Sequence, residues 1–403
     1  MIDTPCAKCG SCTAVCPVYQ VTGRESDTAR GRIHLLEKLA GTEHSREFSR
    51  IFSRCLLCNA CSFSCPRGIN LPAMVIEARS NAPNLLTIAT LKKTVAERCL
   101  AGDPLLRKLA SVLKLSKPLL EKLPESSGLR LKLGILAGTP SVPEPEPDPP
   151  SSGKERRNQL LLFSGCLATH LYPEITSACR ELVANGRDFR ITAPVQHCCG
   201  LASLSHGNLE TAKDLARKNI ASFADSTSPI LTTCASCFSH LKSYPDLFAD
   251  DPEWREKSKE FADRLLEFAS FLANHPGARA NENPAGTKKR RVLYHDPCHL
   301  RFRSGDFTTP PRKILSSLRD VELVELPGGP RCCGLGGLFN LAHPDLSGRI
   351  GAQLVEELLE VRPEAIVSTC SGCLLQLKFL TAAEKDLQVE VYHLADFVNR
   401  CRH

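Results

Sequence analysis

Apolar residues in the first hundred positions recur at helical spacing. Ile33, Leu35, Leu36 and Leu39 interleave with Arg32, His34, Glu37 and Lys38, so the stretch from Thr22 to Arg54 reads as helical, and Met74 to Ala101 repeats the pattern. From Pro104 to Leu123 the apolar positions Leu105, Leu109, Val112, Leu113, Leu120 and Leu123 again approach helical spacing. Their polar neighbours are basic: Arg107, Lys108, Lys114, Lys117 and Lys122 stand against the single Glu121, and Pro118 interrupts the segment. Such a stretch either packs on its own domain, the plainer reading, or docks on a membrane surface or partner. Between Gly138 and Gly153 no period survives. Six of the eleven residues from Pro140 to Pro150 are proline, which makes a stiff, extended spacer and marks a domain boundary. Beyond it, strand-like runs at 159–163, 229–232, 291–295, 321–326 and 365–368 alternate with helix-like stretches at 174–185, 209–224 and 346–359. That alternation predicts α/β structure with parallel strands. The expected architecture is multidomain: an all-helical domain over 1–103, the amphipathic segment and linker over 104–157, and α/β lobes over 158–287 and 288–403.

Composition narrows the class. At 403 residues the chain can build several cores. A net charge of +7, sparse aromatics and one Trp argue against a nucleic-acid surface. No run reaches the roughly eighteen apolar residues of a membrane span. The 21 cysteines would suggest disulfides in a secreted protein, but a cysteine motif begins at Cys6 with no signal-peptide pattern before it. Metal sites in a reducing compartment are therefore expected, and a cytoplasmic location with them.

Eight of the first sixty-five residues are cysteines, in one spacing written twice: Cys6-x2-Cys9-x2-Cys12-x3-Cys16-Pro17 and Cys55-x2-Cys58-x2-Cys61-x3-Cys65-Pro66. This is the run that holds two [4Fe–4S] clusters, the fourth cysteine of each run ligating the other cluster. Four irons each need a thiolate; three come from one tight loop and the fourth from elsewhere. The spacing assigns Cys6, Cys9, Cys12 and Cys65 to one cluster, and Cys16, Cys55, Cys58 and Cys61 to its neighbour. Each following proline is expected to keep the chain from folding back over the site. Paired zinc ions would also use Cys-x2-Cys, but the doubled pattern disfavours them.

The α/β half carries a second cysteine repeat. Cys166, Cys198-Cys199-Gly200 and Cys234-x2-Cys237 match Cys298, Cys332-Cys333-Gly334 and Cys370-x2-Cys373 at offsets of 132, 134 and 136 residues. Internal duplication predicts two similar lobes related by a pseudo-twofold axis. The cysteines follow predicted strands, so all five of a set can converge at the carboxyl ends of a sheet. The glycine after each pair would let the backbone approach a bulky cofactor. Five thiols exceed a cubane's need, which leaves a cubane with a spare thiol, an open cluster with a bridging cysteine, a redox dithiol beside a metal, or structural zinc.

Ferredoxin pair, linker and two Cys…Cys-Cys-Gly…Cys-x2-Cys lobes in this order resemble the glycolate oxidase iron–sulfur subunit family over nearly the whole chain. The segment CAKCGSCTAVCPVYQVTGRESDTARGRIHLLEKL at 6–39, with Tyr19 and Arg30-Gly31-Arg32, is similar to the start of those subunits. The CCG repeats resemble those of the catalytic heterodisulfide reductase subunit. That resemblance implies non-cubane [4Fe–4S] clusters held by Cys166, Cys198, Cys199, Cys234 and Cys237, and by Cys298, Cys332, Cys333, Cys370 and Cys373. It also implies an electron relay: an FAD-containing dehydrogenase subunit oxidises glycolate or D-lactate, and this chain passes electrons to a quinone or other carrier. Peripheral contact with the inner face of the cell membrane fits such a role. No Gly-x-Gly-x-x-Gly fingerprint is present, so the flavin and the hydroxy-acid pocket are expected on the partner. The alternatives are the iron–sulfur subunit of an anaerobic glycerol-3-phosphate dehydrogenase, a thiol-disulfide reductase, and a zinc scaffold.

Outside the repeats, Cys99 and Cys179 read as small core residues, and Cys401 belongs to neither set. His197, His295 and His299 flank lobe cysteines and are candidates for hydrogen bonds to cluster sulfurs. Arg30 and Arg32 read slightly better as solvated helix charges than as cluster counter-ions, and Asp296-Pro297 as the turn into Cys298.

Overall fold

The structure is a computed structural model that describes residues 6–39, 45–81, 88–101, 158–186, 188–275 and 289–402. The basic amphipathic segment and the proline-rich spacer lie outside the described residues.

Among its described residues the N-terminal region contains helices and no strand, with helices at Ser11–Ala14, Pro17–Thr22, Ala29–Lys38, Arg46–Ser53, Ala60–Phe63, Leu71–Ser80 and Ile88–Ala101. Side chains start several of them. Thr28 accepts from the Gly31 N–H, Ser45 from Phe48 and Asn70 from Ala73, each satisfying an otherwise free first-turn donor. The stripe Ile33, Phe48, Ile51, Phe52, Leu71 and Val75 forms a small core, with the Phe48 and Phe52 rings stacked at 4.3 Å. Pro17 does more than end a loop. It occupies the first turn of a helix whose N-cap is Cys16, where its missing N–H costs nothing. Arg32 is not a solvated charge: it is buried, donates to the Ile51 carbonyl at 3.3 and 3.4 Å and to the Asp27 carbonyl, and lies 3.8 Å from the buried Asp27 carboxylate.

Among the described residues the α/β half contains eight strands: β1 Asn158–Phe163, β2 Phe189–Thr192, β3 Ile230–Thr232, β4 Leu265–Glu267, β5 Arg290–Tyr294, β6 Val321–Val324, β7 Ala365–Ser368 and β8 Glu390–His393. They form two wholly parallel sheets, ordered β2-β1-β3-β4 and β6-β5-β7-β8. Both faces of each sheet are covered, as parallel sheets require. Leu160 and Leu162 pack in one core with Leu182, Phe268, Val292 and Ile314, while Leu161 and Phe163 point to the opposite core with Ala216 and Phe223.

The lobes meet through equivalent surfaces. Helix Pro173–Asn185 of the first packs on Leu394–Arg400 of the second, and in the reciprocal contact Phe268–Asn274 of the first packs on Thr309–Ser317 of the second. At the axis Cys234 faces Cys370, the same position in the two repeats, and the Ala235 N–H donates to the Thr369 carbonyl at 2.9 Å. Reciprocal pairing of this kind is what a twofold relation produces. The helical region lies against both lobes. Val18, Val21 and Leu56 share a core with Phe339 and Ile350, and the Asn59 amide donates to the Phe302 carbonyl at 2.7 Å.

Candidate metal centres

The two ferredoxin loops have the same backbone, and that backbone is strained. Lys8 and Leu57, at matching positions of the first Cys-x2-Cys, both have φ of 54°; Gly10 and Asn59, at matching positions of the second, have φ of 85° and 68°. A left-handed Lys or Leu costs roughly 1–2 kcal/mol and persists only when the surroundings demand it. Here the strain turns the Lys8 N–H onto the Cys6 sulfur and the Leu57 N–H onto the Cys55 sulfur, both at 3.4 Å. Amide donors converging on sulfur suit a thiolate carrying charge shared with a metal.

Cys6, Cys9, Cys12 and Cys65 line one pocket, with Arg30 on its wall, while Cys16, Cys55 and Cys58 line a second; Cys61 borders both. Among the described residues the only three donors within 4.8 Å of one another are His295, Cys333 and Cys373. A tetrahedral zinc with 2.3 Å bonds needs sulfurs about 3.8 Å apart. The ferredoxin cysteines are thus spread too widely for a single ion, and a polynuclear core fits the gap.

In each lobe the cysteines sit at the carboxyl ends of the strands. Cys166 and Cys298 open the short helices after β1 and β5. Cys234 and Cys370 are the N-caps of the helices after β3 and β7, with Cys237 and Cys373 one turn further on. The Cys-Cys pairs occupy loops that end in Gly200 and Gly334, at φ of 93° and 85°. These glycines are needed for the left-handed turn and for close contact with the protein's own helices at Ala212 and Ser347.

All ten lobe cysteines line one cavity of about 180 Å³ between the lobes, whose wall also includes Cys58. In the first lobe thiol contacts run Cys166–Cys198–Cys199–Cys237–Cys234, and Cys234 then reaches Cys370 across the axis. In the second the Cys333 thiol lies 3.7 Å from Cys373. Burial pushes the thiols of Cys58, Cys61 and Cys298 up, and neighbouring sulfurs add to the effect; for Cys237 the neighbouring thiols Cys199 and Cys234 come first and burial adds; Cys332 is raised to about 12. So many buried thiols become ligands readily only when a cation supplies the missing charge. A donor set of this kind fits an iron–sulfur centre.

Groups around the cysteines hold them in place. Gln196 accepts from the N–H groups of Ser164 and Gly165 at 2.8 and 3.1 Å, fixing the turn into Cys166. Tyr244 donates to the Cys199 carbonyl at 2.8 Å and Asn219 to the Cys198 carbonyl at 3.0 Å. His295 has a ring nitrogen within 4.8 Å of the Cys333 and Cys373 sulfurs, and His299 forms part of the cavity wall. His197 precedes the first cysteine pair, its N–H bonded to Asn219 at 2.8 Å. Asp296 pairs with Arg312 at 2.7 Å. His240, absent from the sequence reading, is buried near Cys198 with an unpartnered Nε2; its position three after Cys237 was the available signal. Cys179 is buried in the apolar core, and Cys401 packs against it.

Residues 4–69 match the 4Fe-4S dicluster domain family, and residues 160–242 and 292–378 match the cysteine-rich CCG domain family. Fold and sites together define a multidomain iron–sulfur protein with a dicluster helical module and duplicated CCG lobes. The chain is 30% identical to the probable glycolate oxidase iron–sulfur subunit of Bacillus subtilis over 98% of its length and 92% of the relative's. It is 26% identical to the glycolate oxidase iron–sulfur subunit of Escherichia coli over 91% and 88% of the two chains. Lactate utilization protein A of B. subtilis matches at 31% over 60% of this chain and 99% of its own. The chain belongs to the glycolate oxidase iron–sulfur subunit family, and is a subunit of an oxidoreductase.

Proposed function

We propose that this chain relays electrons from an FAD-containing partner, which oxidises a 2-hydroxy acid such as glycolate or D-lactate, toward a quinone or other carrier. The observation that carries the reading is the continuity of the cysteine sites. Cys61 borders both ferredoxin pockets, and Cys58 borders the inner pocket and the ten-cysteine cavity. A line of sites sharing walls suits a one-electron path.

In this reading Cys6, Cys9, Cys12 and Cys65 hold an outer [4Fe–4S] cluster and Cys16, Cys55, Cys58 and Cys61 an inner one. The sets Cys166, Cys198, Cys199, Cys234, Cys237 and Cys298, Cys332, Cys333, Cys370, Cys373 hold one further cluster each. When bound, the clusters supply one-electron carriers. The chain's own part is to fix their spacing, direct amide N–H groups at the sulfurs and keep water from the central cavity with Leu56, Leu201 and Leu335. The exposed Cys9 loop is the side from which a flavoprotein could be reached. No described helix is long and apolar enough to cross a membrane; a peripheral contact at the cytoplasmic face would fall to the basic segment at 104–123.

Anaerobic co-expression with the candidate flavoprotein tests this. A stable complex, about four irons per cluster, and reduction of the iron–sulfur signals on adding hydroxy acid are expected. A chain that binds no flavoprotein and reduces small disulfides alone would overturn the relay in favour of a reductase.

A further inference from the structure

The duplication allows each position of one lobe to be set beside its equivalent in the other. β1 pairs Leu161 with Ile230 and Leu162 with Leu231; β5 pairs Leu293 with Ile366 and Tyr294 with Val367. The register places Phe163 of the first lobe where the second has His295, three residues before the first cysteine of each set. Phe163 is wholly buried and lies against the Phe223 ring, offering nothing polar to a sulfur. His295 is also buried, but it brings a ring nitrogen within 4.8 Å of the Cys333 and Cys373 sulfurs.

The backbone holds the imidazole there. The His295 N–H donates to the Val367 carbonyl at 2.8 Å, and the His295 carbonyl accepts from Ser368 Oγ at 3.0 Å. In the first lobe His240 stands near Cys198, but its Nε2 makes no hydrogen bond. The second lobe has Gln376 at the equivalent place, bonded to Asn340 and Ser347.

We infer that His295 makes the two lobe centres unequal: its N–H bonds to the Cys333 sulfur, so the second-lobe centre takes an electron at a higher potential than the first. The inference rests on the relay reading. An N–H donor draws charge off a ligating sulfur and favours the more negative, reduced state, whereas the phenyl ring of Phe163 cannot. Reduction here adds one electron, breaks no bond and leaves the proton on His295; the electron comes from the partner's flavin, or from dithionite in the test. The second lobe also borders the ferredoxin module through Cys58 and Cys332, so the better acceptor is the one the ferredoxin sites meet first.

The full chain, isolated anaerobically with 15N-labelled histidine, gives the first measurement. Pulsed paramagnetic resonance on the signal that a Cys333→Ser variant loses is expected to show weak nitrogen coupling. No coupling, or one strong enough for an iron–nitrogen bond, overturns the inference. Redox titration is the second. In His295→Phe the oxidised-to-reduced ratio of that signal at a fixed potential should rise at least tenfold, equivalent to about 59 mV for one electron. His295→Asn, which keeps an N–H, should move far less, and the other signals should stay in place. An unchanged ratio in an iron-replete His295→Phe overturns the inference. If that variant loses iron, Phe163→His decides: a rise in the first-lobe potential supports the inference, and no rise overturns it. Wild-type lobes that bind no iron would instead remove the relay reading itself.

Discussion

The guanidinium of Arg79 donates to the backbone carbonyl of Cys55 at 2.6 Å. The same group reaches the Phe52 carbonyl at 3.1 and 2.9 Å, Ser53 at 3.2 Å and, in the first lobe, Ser205 at 2.5 Å. These carbonyls close two helix ends, Arg46–Ser53 and Leu201–His206, so one side chain ties the inner ferredoxin loop to a lobe. Burial lowers its pKa to about 10, which still leaves a cation beside the inner site at neutral pH. Charge-assisted bonds contribute about 1.5–3 kcal/mol each. Arg79→Met should therefore lose about 3 kcal/mol or more in anaerobic denaturation. It should also lower the potential of the Cys55-containing centre, because a positive charge that favours the reduced state is gone. Arg79→Lys should recover the potential more fully than the stability. A stability loss with no change in potential would reduce Arg79 to a strut.

The cysteines were the most legible feature because thiolate ligation fixes residue type and spacing together. The paired φ values at Lys8 and Leu57 are the structural imprint of that spacing. Five strands were visible as apolar runs, whereas β2, β4 and β8 were not. They are three or four residues long, they lie at sheet edges, and β2 and β8 include exposed and half-buried positions. Glu267 and His393 end strands and also cap the next helices, so no turn signal separates those elements. Arg32 misled because a charge on a helix usually faces water; its burial depends on Asp27 and on the Ile51 carbonyl, both set by tertiary contact. Arg79 was hidden for the same reason: its bonds to Cys55 and Ser205 are set by tertiary contact.

Cys61 touches both ferredoxin pockets, so the division of the eight cysteines can be tested at its partners. Cys65→Ala should remove the outer signal and leave the inner one. Cys58→Ala should remove the inner signal and also disturb the second-lobe centre, because Cys58 and Cys298 line the same cavity. Each variant should lose about four irons. Loss of the inner signal in Cys65→Ala, with the outer retained, would reverse the assignment.

Gly334 and Gly200 follow the two cysteine pairs with nearly the same φ, yet their surroundings differ. A Cβ on Gly334 would stand 2.6 Å from the Ser347 carbonyl oxygen, and one on Gly200 would stand 3.3 Å from that of Ala212. Both alanine variants pay the left-handed penalty of about 1–2 kcal/mol. Only Gly334→Ala adds a backbone collision, in the loop that aims the Gly334 N–H at the Cys332 sulfur at 3.4 Å. Gly334→Ala should therefore unfold at a lower temperature than Gly200→Ala and lose iron from the second lobe first. Equal melting temperatures would show that the Ser347 helix yields.

Where helix Ile88–Ala101 packs on Leu201–His206 and Phe339–Ala342, the interface buries titratable groups with few counter-charges. Lys93 is pulled down to about 7, and His206 and His343 to about 4, by burial first and then by the nearby cations Lys93, Arg79 and Arg54. Glu97, 3.9 Å from His206, is itself pushed toward its neutral form, so the two do not hold each other charged. A folded pKa below the unfolded one means that the unfolded chain binds more protons, so stability rises with pH across the gap. For the histidines the gap runs from about 4 to 6.5, and the penalty grows as pH falls through it. For Lys93 it runs from about 7 to 10.5. The melting temperature of the anaerobic full chain should accordingly climb from pH 5 to 7.5 and continue to climb to pH 9. The double variant His206→Gln/His343→Gln should flatten the acid limb and Lys93→Met the alkaline one. Subtracting variant from wild type removes any acid lability of the clusters, which both proteins share. Parallel curves for wild type and variants would mean that these groups keep their ordinary affinities for protons and that the helix packs more openly than its burial indicates.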